Sequence, residues 1–217
     1  MTALMRKTVL TAAGAAFVGG AFAGPVAAFA APAQTTPTAA VADRKGGDKQ
    51  RELGVAYEAQ PNFYYCGPAA ARNALSVQGK NIDMDAMAER MRTTEAGTDS
   101  INDITPVLNT ETGEDVYRSV EISDAEADDK QTDKLRDDVV RTVNEGRAVV
   151  ANIAGTTTDT DGGVHSFEGG HYVSVTGYRH DGDEVKIADS ANPNTAEYWV
   201  TTEALADWIA TRGYSTS

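Results

Sequence analysis

The stretch that most constrains this chain is residues 60–75, which contain the single cysteine of the 217-residue sequence. Pro68 and the alanines after it predict a helix start, because proline suits the first turn, where its missing N–H costs nothing. Residues 69–78 are strong helix formers, and Gly79 is a natural end for the helix. The sequence therefore places Cys66 at or just before a helix N-terminus.

The position of Cys66 makes it a candidate nucleophile. The dipole and the unpaired N–H groups at a helix N-terminus favour the thiolate form of a cysteine. Gln60 precedes the cysteine by six residues, and its side-chain amide is placed to join the Cys66 backbone N–H in holding a developing oxyanion. The alternative is that Cys66 is an inert thiol buried in the core.

The first thirty residues have the pattern of a secretory signal peptide. Arg6 and Lys7 form a short basic region, residues 8–23 are apolar and small, and residues 28–30 offer an A-x-A cleavage site. Residues 1–30 are therefore expected to direct Sec-type export from a bacterial cell and to be removed. The alternative is an uncleaved membrane anchor, for which the Gly and Ala content makes the segment only weakly hydrophobic.

The rest of the chain divides into a short linker and one domain. Residues 31–50 are rich in Ala, Thr, Pro, Gly and Lys, which predicts a flexible linker or a short pro-segment. Residues 51–217 are expected to form one domain, since 41% of the sequence is hydrophobic. The formal net charge of −13 argues against binding to nucleic acid or to an anionic membrane. We expect a secreted, extracellular monomer without stable membrane association.

Helical patterns come first in the domain and strand patterns follow, which predicts an α+β fold with a mostly antiparallel sheet. Helices are predicted at 69–78, after an Asp83 cap, at 100–109, before a Gly146 stop and after a Thr202 cap. Strands are predicted at 116–122, 148–153, 171–178, 185–189 and 198–200, with a polar loop at 155–170. The cysteine helix is thus expected to pack on a sheet formed by later residues.

The hairpin predicted around residues 180–182 brings a base and a carboxylate together. Counting outward from a three-residue loop pairs Val175 with Ile187. In that register His171 and Asp189 share the buried face as diagonal neighbours, with Cα atoms about 7–8 Å apart. A slip of one residue would turn Asp189 outward, but it would also expose Ile187. His171 is therefore the candidate base, and Asp189 is the group that would orient its ring.

The other two histidines and one amide are the competing candidates. His180 lies at the tip of the hairpin and His165 lies in a glycine-rich loop, and both are expected to face solvent. Asn192 follows Asp189 closely in the chain and is the alternative group for orienting the base.

Three segments together resemble the bacteriocin-processing-like cysteine peptidases of the papain clan (peptidase family 39), in their secreted single-domain branch. The segments are Tyr-Tyr-Cys66-Gly-Pro-Ala, Gly-Gly-His171-Tyr-Val-Ser-Val-Thr-Gly-Tyr and Ile-Ala-Asp189. The resemblance covers about residues 52–210 and implies a papain-like cysteine peptidase fold. Where the family often has proline after the aspartate, this chain has Ser190.

The resemblance implies a hydrolase that cleaves peptide or protein substrates without a cofactor. Cys66 would be the nucleophile, His171 the base, Asp189 the orienting carboxylate and Gln60 part of the oxyanion hole. No segment resembles the transporter domains that are fused to leader-cleaving members, so cleavage of double-glycine leaders is not implied. The alternatives are an acyl or peptidyl transferase, as in the related phytochelatin synthases, and a non-catalytic secreted binding module.

Residues 157–168 match part of a calcium-binding loop. Asp159, Asp161 and Glu168 fall at positions 3, 5 and 12 of such a loop. Position 1 is Thr157, which removes a main ligand, and the flanking patterns are those of strands rather than helices. The sequence therefore favours a plain polar loop, and no metal is expected.

Overall fold

The computed structural model describes residues 48–217, so the predicted signal peptide and most of the predicted linker lie outside the described residues. The helices α1 to α5 span Cys66–Ser76, Met84–Arg90, Ile101–Thr112, Asp129–Asn144 and Thr202–Ile209. The strands β1 to β7 span Arg51–Glu52, Arg118–Ile122, Val149–Thr158, Val164–Arg179, Glu184–Ala188, Glu197–Thr201 and Arg212–Thr216. In this part of the chain, no helix has the length and apolar character needed to cross a bilayer.

The strands form one antiparallel sheet in the order β2-β7-β3-β4-β5-β6, with β1 paired to β4. Because successive side chains of a strand point to opposite faces, the sheet contributes to two cores. Val149 and Val173 share one core with side chains of α4 and α5, whereas Val150 and Tyr172 share the other with side chains of α1 and α3. The predicted α+β fold with a mostly antiparallel sheet is confirmed.

Local sequence signals account for the ends of the helices. Asp83 and Ser100 accept hydrogen bonds from the first turns of α2 and α3, as N-caps do. The cap predicted at Thr202 is wrong by one residue, because Thr201 has the extended backbone of a cap and its hydroxyl accepts from the backbone N–H of Ala204 at 3.1 Å. Thr202 is instead the first helical residue.

The β4–β5 hairpin has the predicted register at its base, although its loop differs from the prediction. Arg179 pairs with Glu184, so the loop is one residue longer than expected. A bulge at Thr176 then shifts the pairing back, and Val175 lies opposite Ile187 as predicted. Two departures from the simplest hairpin therefore cancel before the strands reach the candidate site.

The polar loop predicted at 155–170 is wrong, because β3 and β4 continue through it as a paired hairpin. Gly155 pairs with Phe167 and Thr158 pairs with Val164, which leaves residues 159–163 as the turn. Most side chains of this extension are polar, so the alternation that is typical of a strand was not visible in the pattern of hydrophobic residues. As a result, the strand that carries His171 is 16 residues long.

The last strand, β7, was not predicted from the sequence. It begins two residues after α5 ends and lies between β2 and β3. Gly213 permits the close approach to β2, since a Cβ there would lie 2.6 Å from the backbone oxygen of Val120. Arg212, the first residue of β7, therefore lies in a strand that has a neighbour on each side.

Candidate active site

Cys66 is the first residue of α1, in agreement with the sequence prediction. The helix is held on the sheet by Ser174, whose hydroxyl donates to the carbonyl of Ala70 at 2.7 Å. Gly67 leaves room for Thr98, because a Cβ at residue 67 would lie 2.5 Å from Oγ1 of that threonine. The thiol therefore lies at the positive end of an 11-residue helix and is 8% exposed.

His171 and Asp189 form a buried, hydrogen-bonded pair. Nε2 of His171 lies 2.7 Å from Oδ1 of Asp189, and the two residues are only 4% and 3% exposed. The carboxylate also accepts from the backbone N–H of Ala191 at Oδ1 and from the hydroxyl of Tyr198 at Oδ2, each at 2.9 Å. Three donors on one carboxylate favour its ionised form and fix its direction.

The electrostatics of the pair favour a protonated His171 beside an ionised Asp189. Burial disfavours the charged ring, but the hydrogen bond to Asp189 and the interaction with Cys66 outweigh burial and raise the pKa of His171 from its ordinary 6.5 to about 9. Burial also opposes the carboxylate, yet the pairing with His171 and the bonds from Ala191 and Tyr198 lower the pKa of Asp189. Since Nε2 faces Asp189, Nδ1 is the ring nitrogen available to Cys66.

Gln60 is tied to the segment that carries Asp189. Its backbone N–H donates to the carbonyl of Ser190 at 3.0 Å, and its Oε1 accepts from the Ser190 hydroxyl at 3.0 Å. One N–H of its amide donates to the carbonyl of Asn62 at 2.9 Å. The second amide N–H is the donor that Gln60 has left for a ligand.

The two rival histidines are not part of this arrangement. The expectation that His165 faces solvent is wrong, because its Nε2 lies 2.8 Å from Oδ2 of Asp159 and its ring stacks on Tyr198 with centroids 3.7 Å apart. His180 is exposed at the hairpin tip, as expected, with Nδ1 3.0 Å from a carboxylate oxygen of Asp48. Neither ring is hydrogen-bonded to Cys66 in the described residues.

Sequence reasoning missed two side chains that enclose the pair. Phe167 stacks on the His171 ring with centroids 4.0 Å apart, and Tyr198 donates to Asp189. Phe167 belongs to the part of β4 that was predicted as a loop. Its alternation with polar neighbours was the only sign in the sequence of the face on which its side chain lies. Asn192, the alternative group for orienting the base, is exposed and caps the short turn that follows it.

The candidate calcium loop is folded as the tight turn between β3 and β4. Oδ1 of Asp159 accepts from the backbone N–H groups of Asp161 and Gly163 at 2.9 and 2.7 Å. Glu168 instead accepts from Thr156 on the paired strand at 3.0 Å. Within residues 48–217, no group of three or more His, Cys, Asp or Glu side chains is arranged to hold a metal ion. The turn is explained by its own hydrogen bonds.

Comparison with known proteins identifies the family. A sequence model of the Peptidase_C39 like family matches residues 52–216, nearly the whole described chain. The chain belongs to this family. No curated protein matches it in sequence.

One solved structure shares the fold at low sequence identity, and two others are similar to a lesser degree. A C39-like peptidase from Bacillus anthracis has a TM-score of 0.52 and 14% identity, covering 78% of this chain and 98% of that one. The peptidase domain of Streptococcus ComA, a bifunctional ABC transporter, has a TM-score of 0.48 and 16% identity, covering 73% and 96%. A double-glycine-motif protease of an AMS/PCAT transporter, solved with a leader peptide, has a TM-score of 0.46 and 13% identity, covering 76% and 91%.

Family and fold together make this chain a C39-like cysteine peptidase with the papain-like fold. The predicted resemblance is therefore confirmed.

Ser190 offers a test of how the Gln60 amide is held. In Ser190→Ala, Oε1 of Gln60 loses its hydrogen bond, and if Gln60 has its predicted role in the oxyanion hole we expect kcat to fall about tenfold with little change in KM, because such a donor acts mainly on the transition state. Steady-state kinetics on a cleaved peptide measures both constants. In a Gln60→Ala background the same substitution should cost nothing further, since the two residues act through one amide. Independent, additive losses would contradict this coupling.

Proposed function

We propose that this chain is a secreted peptidase that cleaves peptide or amide bonds with Cys66, His171, Asp189 and Gln60. The observation that carries the proposal is the buried His171–Asp189 pair, in which Asp189 holds Nε2 and leaves Nδ1 for the thiol at the start of α1. A nucleophile, a base and a group that orients the base are the parts that covalent amide hydrolysis requires. Membership of a peptidase family supports the same conclusion.

The first half of the proposed reaction forms a thioester. His171 already holds at Nδ1 the proton that came from the thiol, and the anionic Sγ of Cys66 attacks the substrate carbonyl carbon. The negative charge that develops on the carbonyl oxygen is held by the Cys66 backbone N–H and by the free amide N–H of Gln60. His171 then gives its proton to the leaving amine, the C–N bond breaks, and the acyl group remains on sulfur.

The second half returns the enzyme to its starting state. His171, now neutral, takes a proton from water as the water oxygen attacks the thioester carbonyl. The tetrahedral intermediate collapses, the C–S bond breaks, and the sulfur leaves as an anion beside the protonated His171. Asp189 stays ionised throughout, because it accepts three hydrogen bonds and stabilises the imidazolium that forms in each half.

Export is the second part of the proposal. The basic, apolar and A-x-A pattern of residues 1–30 supports a cleaved signal peptide. We expect the chain recovered from the medium of an expressing bacterium to begin near residue 31, as measured by intact mass and N-terminal sequencing. Recovery of the uncut chain in the membrane fraction would contradict it.

Profiling with a synthetic peptide library tests the activity. We expect the purified chain to release new carboxyl and amino termini from a subset of peptides, identified by mass spectrometry. Adding glycinamide at millimolar concentration separates hydrolysis from acyl transfer, because a transferase gives glycinamide-capped products and a hydrolase gives free acids. Capped products in excess would replace the peptidase proposal with that of a transferase.

A further inference from the structure

Arg212 is a half-buried arginine that has no ionic partner among residues 48–217, as is Arg51, but Arg51 donates from its guanidinium to the carbonyl of Asn144 at 2.8 Å. Arg72, Arg147 and Arg179 each pair with a glutamate. No carboxylate of the described residues pairs with Arg212, and its Nε is buried without a hydrogen-bond partner. Burying part of a guanidinium without a partner raises the free energy of the folded state. A ligand that pairs with Arg212 would recover that free energy.

The guanidinium lies beside the residue that precedes His171. Nη2 of Arg212 is 3.5 Å from the position that a Cβ would take on Gly170, and Cζ is 3.8 Å from it. These are ordinary van der Waals distances, so it is the positive φ of 92° that favours glycine at position 170. The guanidinium of Arg212 thus lies against the strand that carries the candidate base.

A pocket of about 340 Å³ opens beside Arg212. It is lined by the start of α3, the end of β2, the start of β7 and Asn152 of β3. Asn152 is buried, and its amide donates to the Tyr172 hydroxyl at 3.0 Å, which in turn donates to the carbonyl of Thr98 at 3.1 Å. Thr98 packs on Gly67, the neighbour of Cys66. The pocket is therefore linked to His171 through Arg212 and Gly170, and to Cys66 through the longer series Asn152, Tyr172, Thr98 and Gly67.

The charges of the lining favour an anion at the inner end of the pocket. Asp99 and Glu121 also line it, but both are exposed at its rim, where solvent screens them, and Glu121 already accepts from Asn102 at 2.9 Å. Arg212 is half-buried, and its planar donors match the geometry of a carboxylate. A pocket of this volume admits one side chain or one chain end, not a larger group.

We propose that Arg212 binds a carboxylate of the peptide substrate, so that the enzyme selects peptides that place an acidic group in this pocket. The carboxylate belongs either to an Asp or Glu side chain or to the C-terminus of the peptide. The inference rests on the proposed function, because the pocket acquires its meaning as a subsite from Arg212, which lies against Gly170, the residue before His171.

A binding experiment with the full chain carrying Cys66→Ala separates the two sources, since no peptide is consumed. One pool holds random octapeptides with acetylated N-termini and amidated C-termini, so that only side chains carry carboxylates. The second pool lacks Asp and Glu and has free C-termini, with an amidated copy for comparison. Bound peptides are eluted and sequenced by mass spectrometry. We expect about tenfold enrichment of Asp and Glu over Asn and Gln in the first pool, or of free acids over amides in the second, as one charge-assisted pairing provides.

Substitutions in the same Cys66→Ala background assign the preference to one residue. Arg212→Gln should remove the enrichment, Arg212→Lys should retain part of it, and Arg212→Glu should favour peptides with Lys or Arg. Arg118→Gln is the matched control, because it removes the same charge from an exposed position on the neighbouring strand β2 and should change nothing. Equal melting temperatures for the variants establish that each is folded.

The outcomes separate this inference from the proposed activity. Carboxylate enrichment that is lost in Arg212→Gln supports the inference even when the unsubstituted chain cleaves no peptide, a result that would overturn only the proposed hydrolysis. Cleavage of library peptides without any carboxylate preference would overturn the inference and leave the hydrolysis standing. Enrichment that survives in Arg212→Gln would also overturn it, because the preference would then come from other groups.

Discussion

Replacing Cys66 with alanine is expected to lower kcat by about 10⁶-fold, to the background of the assay, because the sulfur forms the covalent bond on which both halves of the reaction depend. Initial rates on a peptide from the library measure the loss. The fold should survive, because alanine at the start of α1 keeps the helix. The cavity that the missing sulfur atom leaves is small. Thermal melting and circular dichroism check that point.

Two further variants make the result specific. Cys66→Ser keeps the shape and a hydrogen-bonding group, but a serine hydroxyl is far harder to ionise than a thiol, so this variant should be inactive as well. His171→Ala should lose a similar factor, because residues that act as one unit are not additive when removed. Hydrolysis that persists in Cys66→Ala or in His171→Ala, with the protein folded, would remove the proposed mechanism.

The sequence predicted where the candidate catalytic side chains lie because each has a local signal. Pro68 and the following alanines mark a helix start at Cys66, and the alternation of valines in β4 sets the face on which His171 lies. The register that brings Asp189 to His171 was predicted correctly although the loop was not. A longer loop and a bulge at Thr176 each shift the pairing by one residue, in opposite directions. Burial of Ile187 requires these two shifts to cancel.

What the sequence did not predict depends on contacts between distant segments. Tyr198 reaches Asp189 from a different strand, and Ser190 reaches Gln60 across 130 positions in the chain. Arg212 lies in the sheet only because β7 inserts between β2 and β3. The short, polar sequence of β7 has no pattern that predicts a central strand. Hydrophobic period and turn chemistry act locally, so they cannot supply these partners.

Replacing Asp189 gives the second large effect and links the geometry of the pair to the pH dependence of activity. Asp189→Ala removes the charge and the acceptor for His171 Nε2, and we expect kcat to fall about 10⁴-fold. Asp189→Asn keeps an acceptor for the ring, so the fall should be smaller, about 10²-fold. The matched pair of variants therefore separates orientation of the ring from charge, measured as kcat on the same peptide.

The dependence of activity on pH reports the effect of the Asp189 charge. In the unsubstituted chain His171 has a pKa raised to about 9, so the imidazolium that protonates the leaving amine persists through neutral pH and activity should fall as pH rises through about 9. Without the carboxylate charge this alkaline limb should move down toward the ordinary 6.5. Because the pKa is raised on folding, the ion pair stabilises the fold fully below about pH 6.5, and that stability is lost as pH rises through about 9. Melting temperature should therefore decline over this interval less steeply in Asp189→Asn than in the unsubstituted chain. An alkaline limb that stays in place in Asp189→Asn would mean that Asp189 orients His171 without setting its charge.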